Sequence, residues 1–173
     1  MKPQPSWQGS LQRTSKEMQL LKFCQQYTPN YQKQICDKPD YCFFAEFPTL
    51  AKVRAVLGDY APEMWLVPQL LDLSEFCGCK DKLTTRQMEQ LAGIMAGEFY
   101  WLKISELMLF FYKFKAGCYG KFYGAVDPMT IMCTLREFVR EERNAAYARR
   151  EDAERERRDA EDRERYMKYL AAK

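Results

Sequence analysis

The sequence contains no histidine, and this absence narrows the chemistry open to the chain. Without histidine there is no Ser-His or Cys-His nucleophilic pair, no imidazole general base and no mixed Cys/His zinc site. The remaining acids and lysines show none of the spacings typical of hydrolases, kinases or dinucleotide-binding proteins. We therefore expect a protein that is not an enzyme and that uses no cofactor.

Net charge and long apolar runs are also scarce. Lys and Arg total 27 against 24 for Asp and Glu, and a net charge of +3 is by itself too small to indicate nucleic-acid binding. The longest purely apolar run, residues 107–112, is far shorter than the roughly 20 residues that span a bilayer. No apolar stretch typical of an export signal lies near the start. We expect a soluble, cytoplasmic protein with no membrane partner.

Cysteine occurs seven times, an odd number that favours reduced thiols over a disulfide framework. Four of the cysteines form two pairs, Cys36 with Cys42 and Cys77 with Cys79. Structural zinc sites usually place about two to four residues between paired ligands, and neither pair has that spacing. We predict no metal site and interpret these residues as small buried side chains. A four-cysteine zinc site stays open as the weaker alternative.

Helix signals recur along the chain, whereas no segment alternates cleanly enough to predict a sheet. The predicted helix starts are Thr14 and Thr84, which open capping boxes, then Pro48, Pro62, Ser105 and Asp127-Pro128. The predicted ends lie near Pro29, Gly58 and Gly117. Pro68 predicts that the helix from Pro62 is kinked or divided into two. We predict an all-α fold, a compact multi-helix domain with a long, highly charged C-terminal helix extending from it.

Residues 28–46 lack helical periodicity and contain two prolines, so we predict a loop there with an extended piece at residues 41–44. This gives three predicted parts: an N-terminal arm with one helix and a loop (1–46), a helical core domain (47–140) and a charged, solvent-exposed helical extension (141–173).

Residues 141–173 hold ten acidic and ten basic residues and neither glycine nor proline. Opposite charges four apart stabilise an isolated helix. Four such pairs are predicted: Glu151 with Arg155, Glu154 with Arg158, Asp159 with Arg163 and Glu161 with Arg165. The apolar seam is one residue wide, so a solvated helix is favoured over a coiled coil, and a homodimer is the less favoured alternative. Near its end lies a cluster that is a candidate partner-docking point: Tyr166, Met167, Tyr169 and Leu170.

Residues 110–124 contain seven aromatic residues, three lysines, three glycines and no acidic residue. Bases stack on aromatic rings and lysines contact phosphates, so this pattern is typical of a single-stranded nucleic-acid surface. The candidate contacts are Lys113, Lys115, Tyr119, Lys121, Phe122 and Tyr123, extended by Arg136 and Arg140 on the following helix. Helical spacing indicates that Phe110, Phe111 and Phe114 belong to the core instead.

Residues 67–73 (VPQLLDL) and 105–128, which include the aromatic–lysine stretch, resemble an uncharacterised family of small helical proteins from bacterial phages and mobile genetic elements. The resemblance covers about residues 48–145 and carries no catalytic residue to this chain. It implies a bacterial host cell and a setting near DNA replication or maintenance, with nucleic acid or a nucleic-acid-processing protein as partner.

Two functions remain open from the sequence. The first is a non-catalytic helical adaptor that binds nucleic acid, or a DNA-replication or maintenance protein, through residues 113–123. The second is a protein–protein interaction module, dimeric in one version, that acts through the charged C-terminal helix. Solvent exposure of Tyr119, Lys121, Phe122 and Tyr123 discriminates between them, because rings that pack inward cannot stack on bases.

Overall fold

The computed structural model describes the backbone of residues 7–172 and the side chains of residues 15–172. Helices follow one another along the chain: α1 (Trp7–Gln26), a 3₁₀ turn (Pro29–Tyr31), α2 (Gln32–Ile35), α3 (Pro39–Phe44), α4 (Leu50–Leu57), α5 (Ala61–Phe76), α6 (Thr85–Glu98), α7 (Ile104–Lys115), α8 (Pro128–Glu137), a π-helical segment (Phe138–Arg143) and α9 (Asn144–Ala171). No β-strand occurs in this part of the chain. The predicted all-α fold with a long charged C-terminal helix is confirmed.

The chain divides into two compact units, Met1–Leu135 and Arg136–Lys173. Within the first unit, residues predicted to form an N-terminal arm contribute buried side chains, among them Ile35, Cys42 and Phe43. Helices α2 and α3 both pack against α7. Residues 32–44 are therefore part of the same packed body as the helices that follow them.

The prediction of a loop with an extended piece for residues 28–46 was wrong, because most of that segment is helical. Pro29 and Pro39 open a 3₁₀ turn and α3, where a proline loses no hydrogen bond. The two α-helices are four and six residues long. Helices this short do not complete enough turns to show a periodic apolar pattern.

Several helix boundaries follow the predicted chemistry. The Thr84 hydroxyl accepts from Gln87 N at 3.2 Å and the Gln87 side chain accepts from Thr84 N at 2.9 Å, which confirms the capping box. Asp127 accepts from the backbone amides of Met129 and Thr130, and a further hydrogen bond from the Thr130 hydroxyl is the main cause that lowers the pKa of Asp127. Helix α5 runs without a break through Pro68.

Other predicted starts were wrong. Helix α1 begins at Trp7, well before Thr14, whose side chain lies outside the described part. Thr49, not Pro48, caps α4. Helix α7 begins at Ile104, and Ser105 is buried in its first turn with its hydroxyl donating to Cys42 O at 2.7 Å. A serine can cap a helix or bond to a neighbouring backbone, and only the tertiary structure decides which.

The core of the first unit is built around α5 and α7. Helix α5 buries Trp65, Leu66, Leu70 and Leu73, whose side chains are at most 1% exposed. Helix α7 is buried almost continuously from Ile104 to Phe111. This burial holds the C-terminal ends of both helices in place.

Candidate functional site

The aromatic–lysine segment (residues 110–124) starts in α7 and continues into the loop before α8. Gly117, with φ +80°, ends the helix: Gly117 N donates to Phe114 O at 3.0 Å and Cys118 N donates to Lys113 O at 3.1 Å. This is the paired arrangement of a Schellman motif, and the predicted end of the helix is confirmed. Farther on, Asp81 holds the loop, since Asp81 N donates to Gly124 O at 3.2 Å.

Four side chains separate the two candidate functions by their exposure, and two of them, Tyr119 and Phe122, pack inward. Tyr119 stacks on Phe110 with ring centroids 5.8 Å apart and meets the edge of Phe114 at 5.6 Å. Phe122 lies parallel to Phe114, 5.2 Å from it. Phe110, Phe111 and Phe114 are buried, as predicted. The rings of Tyr119 and Phe122 therefore extend the core and are half-buried, which leaves them poorly placed to stack on bases.

The other two side chains of this set, Lys121 and Tyr123, face solvent. Tyr123 is 91% exposed, and Lys121 is exposed beside it. Lys115 forms an ion pair with Asp72 at 2.5 Å, and Lys113 is half-buried. Arg136 and Arg140 are exposed and belong to the second unit, where Arg140 pairs with Glu141 at 2.7 Å. The predicted set thus contains one strongly exposed aromatic ring.

Helix α9 is solvated on every side over residues 148–172. Its ion pairs join Arg150 with Glu154 (3.1 Å), Arg155 with Asp152 (2.6 Å), Arg157 with Glu161 (3.7 Å), Lys168 with Glu164 (2.7 Å) and Arg165 with Asp162. The predicted partners of Arg155 and Arg165 were wrong, because each bonds an aspartate three residues away. Residues three and four apart are both neighbours on a helix surface.

Four apolar side chains lie within five residues near the end of α9, and we call them the terminal apolar patch: Tyr166, Met167, Tyr169 and Leu170. Their exposed fractions run from 48% to 64%. Positions 166, 169 and 170 are separated by three and four residues, which places them on one face of the helix. Large apolar side chains grouped this way on an otherwise charged helix are typical of a contact surface.

The cysteines do not form a metal cluster. Among the side chains of residues 15–172, no three cysteine, aspartate or glutamate residues are grouped so that they could hold a metal ion. Cys36 and Cys42 are buried next to each other, and a hydrogen bond with Cys42, together with burial, raises the pKa of the Cys36 thiol. Cys77 and Cys79 are half-buried in the turn after α5. The alternative of one zinc site formed by all four is therefore not supported.

These environments predict a clear order of thiol alkylation. Cys118 and Cys133 are exposed and should react with iodoacetamide first, whereas Cys36 and Cys42 should be protected, by about a hundredfold or more, because the chain must open before the reagent reaches them. Timed labelling followed by peptide mass spectrometry measures the rates. In guanidinium all seven should react alike. Equal rates for Cys36 and Cys118 in the folded chain would contradict this packing.

Sequence reasoning missed a small cavity in the first unit. It lies beside the 3₁₀ turn and is lined by residues from α2, α5 and α7, including Gln32, Asp72 and Lys115. Asp72 and Lys115 are 43 residues apart in sequence and Gln32 is 40 residues from Asp72. No local pattern links such distant positions, so the sequence offered no signal for this site.

None of the helices in the described part of the chain is long and apolar enough to cross a membrane.

No curated protein and no solved structure matches the sequence. A protein-family comparison does match residues 82–170, which is 89 of 173 residues, farther toward the C-terminus than the resemblance over residues 48–145 suggested. The matched region contains α6, α7, α8 and nearly all of α9. The chain therefore belongs to the family of unknown function DUF6633.

Proposed function

We propose that this protein is a non-catalytic adaptor that binds a partner protein through the terminal apolar patch of α9. The observation that carries the proposal is the exposure of four large apolar side chains on a helix that is otherwise charged and, from residue 148 onward, solvated. Exposing such side chains to water is unfavourable, and a partner that covers them gains about 25 cal/mol per Å² of buried apolar surface.

The patch suits a groove on another protein better than a second copy of itself. Four half-exposed side chains supply on the order of a few hundred Å². Two such patches together fall short of the roughly 1,200 Å² that stable interfaces bury. The heptad positions before the patch, Ala146, Ala153 and Ala160, are too small to extend a dimer seam. A partner with an apolar groove and a charged rim could also contact Arg163 and Glu164.

The rest of α9 would act as a spacer. Residues 144–165, which precede the patch, span roughly 33 Å at the rise of an α-helix. Ion pairs along its surface each add about 0.2–0.5 kcal/mol to helix stability, so the segment stays helical without a core of its own. A rigid spacer presents the patch to a partner with little loss of entropy on binding.

The test is site-specific crosslinking in the full chain. A photoreactive amino acid replaces Tyr166 in one preparation and the exposed Glu156 of the same helix in a control. We expect a specific protein crosslinked only from position 166, and the purified partner should bind the double variant Tyr166→Ser, Leu170→Ser at least tenfold more weakly. Circular dichroism should show unchanged helix content. Equal crosslinking from both positions, or a self-dimer that the double variant dissociates, would contradict the proposal.

A second candidate function is nucleic-acid binding, and one observation favours it. Tyr123 is 91% exposed with Lys121 beside it, which leaves one ring for a base and one cation for a phosphate. Membership of a phage or mobile-element protein family would give such binding a setting in DNA maintenance. Fluorescence anisotropy with labelled single strands at two salt concentrations decides it. Salt-sensitive binding that Lys121→Glu weakens would support this function, and no binding at low salt would remove it.

A further inference from the structure

The cavity beside the 3₁₀ turn has a volume of about 340 Å³. Its walls come from the 3₁₀ turn, from α2, and from the C-terminal parts of α5 and α7. A cavity of this size accommodates a small organic molecule. Its lining includes the exposed amide of Asn30 and a buried amide, two lysines, one carboxylate and two aromatic rings: Gln32, Lys33, Lys115, Asp72, Phe76 and Tyr112.

Gln32 supplies the most specific feature of the cavity. The residue is 1% exposed, and its Nε2 donates to Gln69 Oε1 at 2.8 Å. Gln69 in turn donates from Nε2 to the carbonyl oxygen of Tyr27 at 3.1 Å. Because that carbonyl can only accept, it fixes the orientation of both amides along the chain of bonds. Gln32 Oε1 is consequently the atom left over, a buried acceptor with no hydrogen-bond partner.

A buried acceptor without a donor is unfavourable, so the fold retains Gln32 at some expense in stability. Because Oε1 is buried, a donor group on a bound molecule satisfies it only if a lining side chain moves aside on binding. An apolar ligand would not satisfy it, since such a ligand has no donor to offer Oε1. The cavity therefore selects for a molecule that carries an N–H or O–H group.

Charge at the cavity gives a second requirement. Lys115 Nζ lies 2.5 Å from Asp72 Oδ2 and 5.9 Å from the centroid of the Phe76 ring. Lys33 adds a second ammonium group to the lining. Two lysines against one aspartate leave an excess of one positive charge, and an ammonium group has three protons of which the Asp72 bond uses one. An anionic group of a ligand can be held there while Asp72 keeps its bond.

We propose that this cavity binds a small, flat nitrogen heterocycle that carries an anionic group. Its ring N–H or amino group donates to Gln32 Oε1, its face packs against Phe76 and Tyr112, and its anion contacts Lys115 and Lys33. Nucleotides and heteroaromatic carboxylates share this chemistry. The proposal is independent of the partner-binding function of α9, because the residues involved all lie in the first unit.

The test measures binding of defined probes to the full chain by calorimetry and by thermal shift. The probes are the four ribonucleoside monophosphates, the corresponding nucleosides without phosphate, and indole carboxylates. We expect saturable binding of an anionic probe and at least tenfold weaker binding of its uncharged counterpart. Tightest binding by a monophosphate or by an indole carboxylate identifies which of the two sources provides the ligand.

Variants connect the binding to the cavity. Lys115→Met and Phe76→Ala change partly or largely exposed side chains and should fold, and each should weaken binding about tenfold. Gln32→Met removes the acceptor and should do the same. Gln26→Met, an exposed glutamine outside this cavity, is the matched control and should bind like the parent chain. The absence of binding by every probe at millimolar concentration, or binding that neither Lys115→Met nor Phe76→Ala weakens, would overturn the proposal.

Discussion

Replacing Trp65 with alanine is expected to lower the free energy of unfolding by about 3–5 kcal/mol, as for other buried tryptophans. The side chain lies in the second turn of α5 and is 1% exposed, and its Nε1 donates to the carbonyl oxygen of Tyr27 at 2.8 Å. Tyr27 follows the end of α1, so this one residue both fills the core and fastens α1 to α5. The alanine variant loses the packing and the fastening together. Urea denaturation followed by circular dichroism measures the loss.

Two variants separate these contributions. Trp65→Phe removes the hydrogen bond but keeps most of the ring, and it should cost about 1–2 kcal/mol, since Gln69 still donates to Tyr27 O. Met64→Ala changes an exposed neighbour on the same helix and should cost less than about 0.5 kcal/mol. An alanine variant that loses no more than Trp65→Phe would show that Trp65 does not carry core packing.

The sequence predicted those helices whose boundaries are set by local chemistry. The side chains of Thr84 and Asp127 accept from backbone amides three residues farther along the chain. The amides of Gly58 and Gly117 donate to carbonyl oxygens three or four residues before them. Such contacts form in whatever fold surrounds them, so a sequence pattern suffices. Residues 28–46 were mispredicted because their short helices depend on packing against α7, which no local pattern records.

The candidate site shows the same division. The sequence shows plainly that residues 110–124 combine aromatic rings and lysines. Whether each ring points into the core or to solvent is set by neighbours that are distant in sequence. Phe122 stacks on Phe114 and Tyr119 on Phe110, whereas Tyr123, one residue from Phe122, points to solvent. The loop lacks the hydrophobic periodicity of a helix or a strand, so no buried face can be inferred from its sequence. The exposed patch of α9 was predictable, because an isolated charged helix has few neighbours to change its exposure.

The second large effect is expected at Lys103, which no sequence pattern singled out. Its ammonium group donates to the carbonyl oxygens of Phe43 at 2.8 Å and Ala45 at 3.0 Å, at the end of α3. Hydrogen bonds from a charged donor contribute about 1.5–3 kcal/mol each. Lys103→Met keeps the length of the side chain and loses both bonds. Because the lysine is half-buried and one ammonium group makes both bonds, their contributions do not add fully, and we expect a loss of about 2–4 kcal/mol in urea denaturation.

This loss should appear as a local opening of α3 before the whole unit unfolds, and Cys42 on that helix provides the readout. Its thiol is fully buried, and Lys103→Met should raise its alkylation rate in the folded chain by about tenfold or more, while Cys118 keeps its rate. Lys52→Met, at an exposed lysine, should change neither stability nor labelling. A double-mutant cycle with Ser105 gives a second test, because Ser105→Ala removes the neighbouring bond to Cys42 O. Since both side chains hold the same short helix, the Lys103→Met, Ser105→Ala double variant should lose less stability than the two single losses added together. Strict additivity, with Cys42 still protected, would show that Lys103 does not anchor α3.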